Sequence, residues 1–200
     1  MLLRSPDASS LVIDTLGDWA RGQDVAVACF YFDFAAQKEQ SPASILSSLL
    51  SQVVGGLEEI PAKIAQAFLD QKNVIGGRKP GLSEVVGMLQ DIASSRRTFI
   101  CLDALDECIP DHRKKILDSL EHILHKSPST QIFLAARSHV RNEVEKSLAE
   151  RVVTVSITPT NKDIIRFLRA KLTDDTIPEA MDQSLEEDII KSIPDTVSKM

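Results

Sequence analysis

The ten residues FICLDALDEC at positions 99–108 decide how the rest of the chain is interpreted. The first four are apolar, which is typical of a short strand buried on both faces, as in the interior of a parallel sheet. The run then enters a turn that carries Asp103, Asp106 and Glu107. Three carboxylates this close repel one another unless a cation or a phosphate-bound metal lies among them. We therefore expect a functional site at the carboxyl end of this strand.

Strands alternate with helices along the chain. Apolar, β-branched and aromatic runs predict buried strands at Val25–Phe32 and Gln131–Ala135, and a last strand at Val152–Ile157. Apolar residues at helical spacing predict helices from about Ser9 to residue 20 and at about 41–54, 60–71, 82–95, 110–126, 140–148, 160–172 and 185–193. This order predicts an α/β fold with a mainly parallel sheet flanked by helices and a helical C-terminal tail, and its ligands belong at the carboxyl ends of the strands.

Length and charge narrow the class of protein. Two hundred residues are enough for one main domain. A net charge of -6 argues against a nucleic-acid or anionic membrane partner, because phosphate backbones and acidic headgroups require a basic surface. No apolar run approaches the roughly 20 residues that span a bilayer. We expect a cytoplasmic protein whose three cysteines are free thiols.

The residues around the acidic turn suggest phosphate chemistry. Asp103 is placed to bind a hydrated magnesium ion. Asp106 or Glu107 is placed to orient or deprotonate an attacking water. Arg137 follows the strand at Gln131–Ala135 and is placed to reach the same ligand's terminal phosphate. In the alternative interpretation, the acids only cap the following helix and pair with arginines, Arg113 or Arg137.

Residues 99–108 resemble the Walker B segment of the NACHT family of signal-transduction P-loop NTPases. The pattern Asp103-Ala104-Leu105-Asp106-Glu107, followed by a cysteine, resembles in particular the fungal NACHT proteins and the related nephrocystin-like N-terminal module. Other segments also resemble the family: Val27–Phe34 its second strand, the helix at Ser41–Val54 the one that follows, and Phe133–Ser138 the strand that ends in the sensor arginine.

The resemblance implies a switch that uses ATP or GTP with Mg²⁺ and couples the nucleotide state to homo- or hetero-oligomerisation with NACHT proteins. By this resemblance Asp103 is the magnesium carboxylate, Asp106 and Glu107 are the hydrolytic acids, and Arg137 is the sensor. The NACHT-like core covers residues 1–172, and residues 173–200 begin the helical region that precedes the repeats of a larger receptor.

The chain departs from the family at the phosphate loop. No G-x-x-x-x-G-K-[ST] motif occurs, and the nearest spacing, Gly76 to Gly81, is followed by Leu82 and Ser83 instead of a lysine. In the family, the phosphate loop and its strand precede the helix that begins here near Ser9, so we expect the core to be truncated and to lack this first strand.

By the resemblance, we expect the missing strand to lie between the strands at Thr98–Leu102 and Gln131–Ala135. Those two strands then either pair directly or receive another segment. Together with the missing phosphate loop, the resemblance implies a partial NACHT-type nucleotide-binding and oligomerisation module of a signalling receptor, with weak or absent autonomous NTP hydrolysis. The alternative is a non-catalytic interaction domain that associates with related NACHT receptors.

Overall fold

Three parallel strands form the sheet at the centre of the fold. They are β1 (Val25–Tyr31), β2 (Arg97–Asp103) and β3 (Gln131–Leu134), in the order β1-β2-β3. The structure, a computed structural model, describes residues 6–73, 79–148, 151–157, 160–173 and 183–197. The predicted α/β fold with a parallel sheet is confirmed. The two strands that were expected to flank a missing strand, β2 and β3, pair directly with each other.

The helices agree with the apolar spacing in the sequence to within a few residues. They are α1 (Pro6–Ala20), α2 (Pro42–Gly55), α3 (Ala62–Asn73), α4 (Leu82–Ser95), α5 (Pro110–Lys126), α6 (Arg141–Leu148), α7 (Asn161–Thr173) and α8 (Gln183–Val197). Ser41 caps α2 by accepting a hydrogen bond from the backbone N–H of Ser44 at 3.2 Å. Helix α1 begins at Pro6 and therefore earlier than the serine that we expected to start it. Residues 76–78 of the predicted loop at 76–81 lie outside the described residues.

The main hydrophobic core lies on one face of the sheet. There, alternate residues of β1 and β2, such as Ala28, Ile100 and Leu102, pack against the apolar faces of α2, α4 and α5. The largest side chains that are less than 2 % exposed include Ile45, Leu46, Leu49, Leu89, Leu105, Ile116, Leu117, Leu120 and Ile123. This packing fixes β2 at the centre of the fold and, with it, the turn that follows.

The opposite face of the sheet is covered less completely. Trp19 of α1 meets Phe99 edge to face, with ring centroids 5.6 Å apart, and the Arg97 guanidinium lies over both rings. Cys101 is buried on this face, but Tyr31 near the end of β1 is 45 % exposed. Cation–π and aromatic contacts thus close only part of this face.

Two predictions about strands are wrong. Residues 152–157 form no strand, and Val153, Val155 and Ile157 are 76–90 % exposed. Alternating β-branched residues favour a strand only where a neighbouring backbone supplies hydrogen bonds, and the described residues supply none here. The strand at 131–135 was predicted to be buried, but β3 lies at the edge of the sheet and is only half-buried.

The chain divides into two compact units between Val152 and Val153. The second unit contains α7 and α8, which contact each other, so the predicted helical tail is confirmed. The family boundary expected at residue 172 remains a prediction. None of the helices that the structure describes is long and apolar enough to span a membrane.

A partly buried ion pair connects α5 to α6. Arg113 is 8 % exposed, and its Nε lies 2.7 Å from the Glu143 carboxylate. Its Nη1 donates a hydrogen bond to the Cys108 carbonyl oxygen at 2.9 Å. One guanidinium therefore holds α6 and the end of the acidic turn in a fixed relation to α5.

Replacing this arginine will destabilise the fold. We expect Arg113→Met to lower the free energy of unfolding by about 2 to 3 kcal/mol, because it leaves the Glu143 carboxylate and the Cys108 carbonyl without their charged donor. Lys115→Met is the matched control, since Lys115 is exposed on the same helix and should change the stability by less than about 0.5 kcal/mol. Urea denaturation measures both, and equal stability of the two variants would contradict this role.

The three cysteines are free thiols, as predicted, and two of them are buried. Burial and, to a smaller extent, the neighbouring Cys29 raise the pKa of Cys101 from 9.0 to about 11. Burial also raises the pKa of Cys108 to about 11, although Arg113 partly opposes this shift. The fold thus keeps both thiols protonated at a pH where the unfolded chain loses these protons.

These raised pKa values predict an alkaline loss of stability. The contribution of the neutral thiols is fully present below pH 9, where the unfolded chain begins to ionise them, and is lost as the pH rises toward 11. We expect the midpoint of thermal unfolding of Cys101→Ala to fall less steeply over this range than that of the wild type. Parallel slopes for the two proteins would contradict the prediction.

Candidate functional site

The acidic turn at the end of β2 has a constrained backbone. Ala104 adopts the left-handed conformation, with φ 62° and ψ 36°, and a short 3-10 turn follows at Leu105–Glu107. The N–H of Leu105 donates to the Ala135 carbonyl at 3.1 Å, and the Leu105 side chain is fully buried. The turn is therefore attached both to the core and to the end of β3.

Asp106 and Arg137 lie together, although 31 residues separate them in the chain. The Asp106 side chain is 5 % exposed and accepts a hydrogen bond from the backbone N–H of Arg137 at 3.2 Å. The Arg137 Nε lies 3.3 Å from the same carboxylate, and this arginine side chain is 48 % exposed. Two predicted site residues thus lie together. They form an acid–arginine pair, as the alternative interpretation of the acids predicts.

Glu107 turns toward the segment that follows β1. Its carboxylate accepts a hydrogen bond from the Phe34 N–H at 3.1 Å, and its backbone carbonyl accepts one from the side chain of Gln37. Asp33 caps the short turn at Phe34–Ala36 by accepting from the Ala35 N–H at 2.9 Å. The loop after β1 therefore forms one wall of the site.

Sequence reasoning did not identify this wall. It also missed Gln40, whose backbone carbonyl lies 3.1 Å from the Nδ1 of His112 on α5. The position of Asp33, just after the run that predicts β1, was the available signal. Because the carboxyl ends of parallel strands meet at one edge, residues following β1 and β2 are expected to be neighbours.

The acids do not form a metal centre by themselves. Among the described residues, no group of three or more histidine, cysteine, aspartate or glutamate side chains is arranged to hold a metal ion. Asp106 and Glu107 already have protein partners, and Asp103 also takes part in an interaction. Magnesium needs one or two carboxylates plus phosphate oxygens, and the sequence has no phosphate-loop motif to position such phosphates. The residues present therefore do not fit a complete magnesium–nucleotide site.

The fold is similar to that of a P-loop ATPase. The structure of the ORC1 protein of Aeropyrum pernix, solved in complex with DNA, superposes with a TM-score of 0.51 and 18 % sequence identity. The similarity covers 96 % of this chain and 45 % of that one, so this chain spans less than half the length of that protein. At this identity the similarity shows the fold alone.

Sequence comparison identifies the family. No curated protein sequence matches this chain. The model of the nephrocystin 3 N-terminal family, however, matches residues 8–137, which include β1, β2, β3, the acidic turn and Arg137. The match covers more than half of the chain. The chain therefore belongs to the nephrocystin 3 N-terminal family.

Proposed function

We propose that this chain is a partial NACHT-type nucleotide-binding and oligomerisation module of a signalling receptor, with weak or absent autonomous NTP hydrolysis. One observation carries the proposal: the carboxyl ends of β2 and β3 bring Asp106 and Arg137 within 3.3 Å, next to the strand end at Asp103. Open parallel sheets bind ligands at this edge. The P-loop ATPase-like fold and the nephrocystin 3 family support a nucleotide-binding ancestry.

In this proposal the site residues keep the roles expected from the resemblance. Asp103 is the carboxylate for Mg²⁺, Asp106 and Glu107 are the hydrolytic acids, and Arg137 contacts a phosphate of ATP or GTP. The half-exposed Arg137 side chain supports its part, because a guanidinium held by a single buried carboxylate can still offer its other N–H groups to an anion.

The same contacts are a reason to expect weak nucleotide binding and hydrolysis. A bound nucleotide would compete with the Asp106–Arg137 pair and with the Phe34 N–H that holds Glu107. Phosphate binding in P-loop proteins depends on a cradle of backbone N–H groups and on a lysine, and the sequence contains no such motif. We therefore expect weak nucleotide binding without efficient hydrolysis.

The second candidate is a non-catalytic interaction domain that associates with related NACHT receptors. The observation that favours it is the outer edge of β3, which has no strand neighbour among the described residues. For either function we propose a cytoplasmic protein without a nucleic-acid or membrane partner, which the net charge of -6 supports.

A nucleotide titration followed by NMR tests the first function. We expect Mg²⁺-ATP or Mg²⁺-GTP at about 10 mM to shift the backbone signals of Arg137 and of residues 103–107, with no effect at micromolar concentration, because only part of a nucleotide site is present. Asp103→Ala should remove the shifts, and Asp118→Ala, at an exposed position of α5, is the control.

Two outcomes would contradict the proposal in different ways. Micromolar affinity for either nucleotide would show that the missing phosphate loop does not limit binding. Complete absence of shifts at about 10 mM would remove the nucleotide-binding function and leave the interaction domain.

A further inference from the structure

A groove runs between α5 and α6, which lie side by side on the surface. Helix α5 follows β2 and α6 follows β3, and these two strands are parallel. Near the start of both helices, the Nε of Arg113 lies 2.7 Å from the Glu143 carboxylate. At the other end, Arg151 donates a hydrogen bond to the Leu124 carbonyl oxygen at 2.6 Å. The fold itself therefore fixes both ends of the groove.

The groove has the size of one face of a helix. Its cavity has a volume of about 930 Å³, and the α5 side of the cavity is a single row on the helix surface, formed by Lys114, Asp118, Glu121 and His125. This row is about 17 Å long at a rise of 1.5 Å per residue. Over that length the volume gives a cross-section of about 55 Å², roughly two thirds of that of a helix about 10 Å in diameter. A third helix of about three turns therefore fits into the groove.

The walls of the groove favour a helix over an extended segment. Both walls are α-helices, whose backbone N–H and C=O groups are bonded within the helix. An extended segment would therefore leave its own peptide groups without partners, whereas a helix satisfies them internally. Leu124 and the buried Leu148 are the two apolar residues of the lining. The groove thus fits a helix with a narrow apolar edge.

The two rims of the groove carry opposite charges. The α5 rim contains Asp118 and Glu121, which are exposed and form no ion pair with any described residue. The α6 rim contains Lys146, which is likewise exposed and unpaired within the described residues, and Arg151. Glu143 also lines the cavity, but its charge is already paired within the fold. An acidic rim therefore faces a basic rim across the groove.

The rim charges specify the helix that fits. A complementary helix has basic residues along the flank next to α5 and acidic residues along the flank next to α6. Lys114 lies one turn before Asp118, so a single acid is favoured at that end of the first flank. Exposed ion pairs add little affinity, so the apolar edge provides the contact and the rims provide the selectivity. A second copy of this chain, placed groove to groove, would leave the cavity unfilled.

We propose that the groove between α5 and α6 is a docking site for an amphipathic helix of another protein. The helix has about three turns and a narrow apolar edge, with basic residues on one flank of this edge and acidic residues on the other. Its apolar edge contacts Leu124 and Leu148, and its flanks pair with the two rims. The cavity shares no lining residue with the candidate site. The inference therefore goes beyond the proposed function and does not depend on nucleotide binding.

Peptide binding measured by fluorescence anisotropy tests this docking site. The probe is a labelled peptide, Leu-Lys-Ala-Glu-Leu-Lys-Glu-Leu-Lys-Ala-Glu-Leu-Lys-Ala, whose leucines form one edge of a helix between a lysine flank and a glutamate flank. A hydrocarbon bridge in place of its first two alanines holds it helical, because a free peptide of this length is a marginal helix. We expect a Kd of about 100 µM. The same peptide with serine in place of every leucine should not bind, because it has no apolar edge.

Charge variants of the two rims locate the binding. Glu121→Lys and Lys146→Glu, one on each rim, should each weaken binding of the probe about fivefold. Glu59→Lys is the matched control, because Glu59 is exposed outside the groove and its replacement changes the net charge as Glu121→Lys does. A further peptide with glutamate in place of every lysine should bind the wild type at least about tenfold more weakly than the probe does. On Glu121→Lys the probe and this acidic peptide should bind about equally, which is a change of selectivity.

Several results would overturn the proposal. Absence of binding at millimolar probe, equal binding of the serine peptide, or equal effects of Glu121→Lys and Glu59→Lys would each exclude this docking site. Equal binding of the probe and the acidic peptide to the wild type would exclude selection by the rims. A dimer that Glu121→Lys dissociates, with no probe binding to the wild type, would assign the groove to a second copy of the chain instead.

Discussion

Backbone hydrogen bonds from β2 to β1 on one side and to β3 on the other hold together the parts of the chain that form the candidate site. β2 is the strand with a neighbour on each side, and its residues from Thr98 to Leu102 are all less than 9 % exposed. A buried strand tolerates no unsatisfied peptide groups, so both ladders must be complete for the core to form. The acidic turn takes its position from this strand, and Arg137 takes its position from β3.

The acids of the candidate site already have partners within the protein. Asp106 pairs with Arg137, Glu107 accepts from the Phe34 N–H, and Arg113 holds the Cys108 carbonyl at the end of the turn. These interactions rigidify the edge of the sheet. They also mean that a ligand must replace existing partners, which favours a weak or dependent site over an autonomous one.

Much of this arrangement could be predicted from local sequence. The apolar run at 99–102 and the acids after it identify the central strand and its turn because both signals lie within ten residues. Helix α2 could be predicted from Ser41, Pro42 and the apolar spacing that follows them. These elements follow from propensity, capping and periodicity, which act over a few residues.

Predictions from the sequence fail where the structure of a segment depends on residues that are distant in the chain. The strand pattern at Val152–Ile157 is as clear as that of β3, but no described backbone pairs with it. The half-burial of β3 depends on what lies beyond its outer edge, and the Glu107–Phe34 contact joins residues 73 positions apart. Neither the half-burial of β3 nor the Glu107–Phe34 contact can be inferred from residue spacing, because both depend on how the strands assemble.

Amide hydrogen exchange, resolved by residue, tests most directly whether β2 is the central strand and β3 has one open edge. The amides of Phe99 to Leu102 should exchange only through global unfolding. In β3, the outward amides of Ile132 and Leu134 should exchange at least about tenfold faster than the amides of Phe133 and Ala135, which face β2. Equal protection of the two pairs would contradict the open edge, and fast exchange throughout β2 would contradict the central position of that strand.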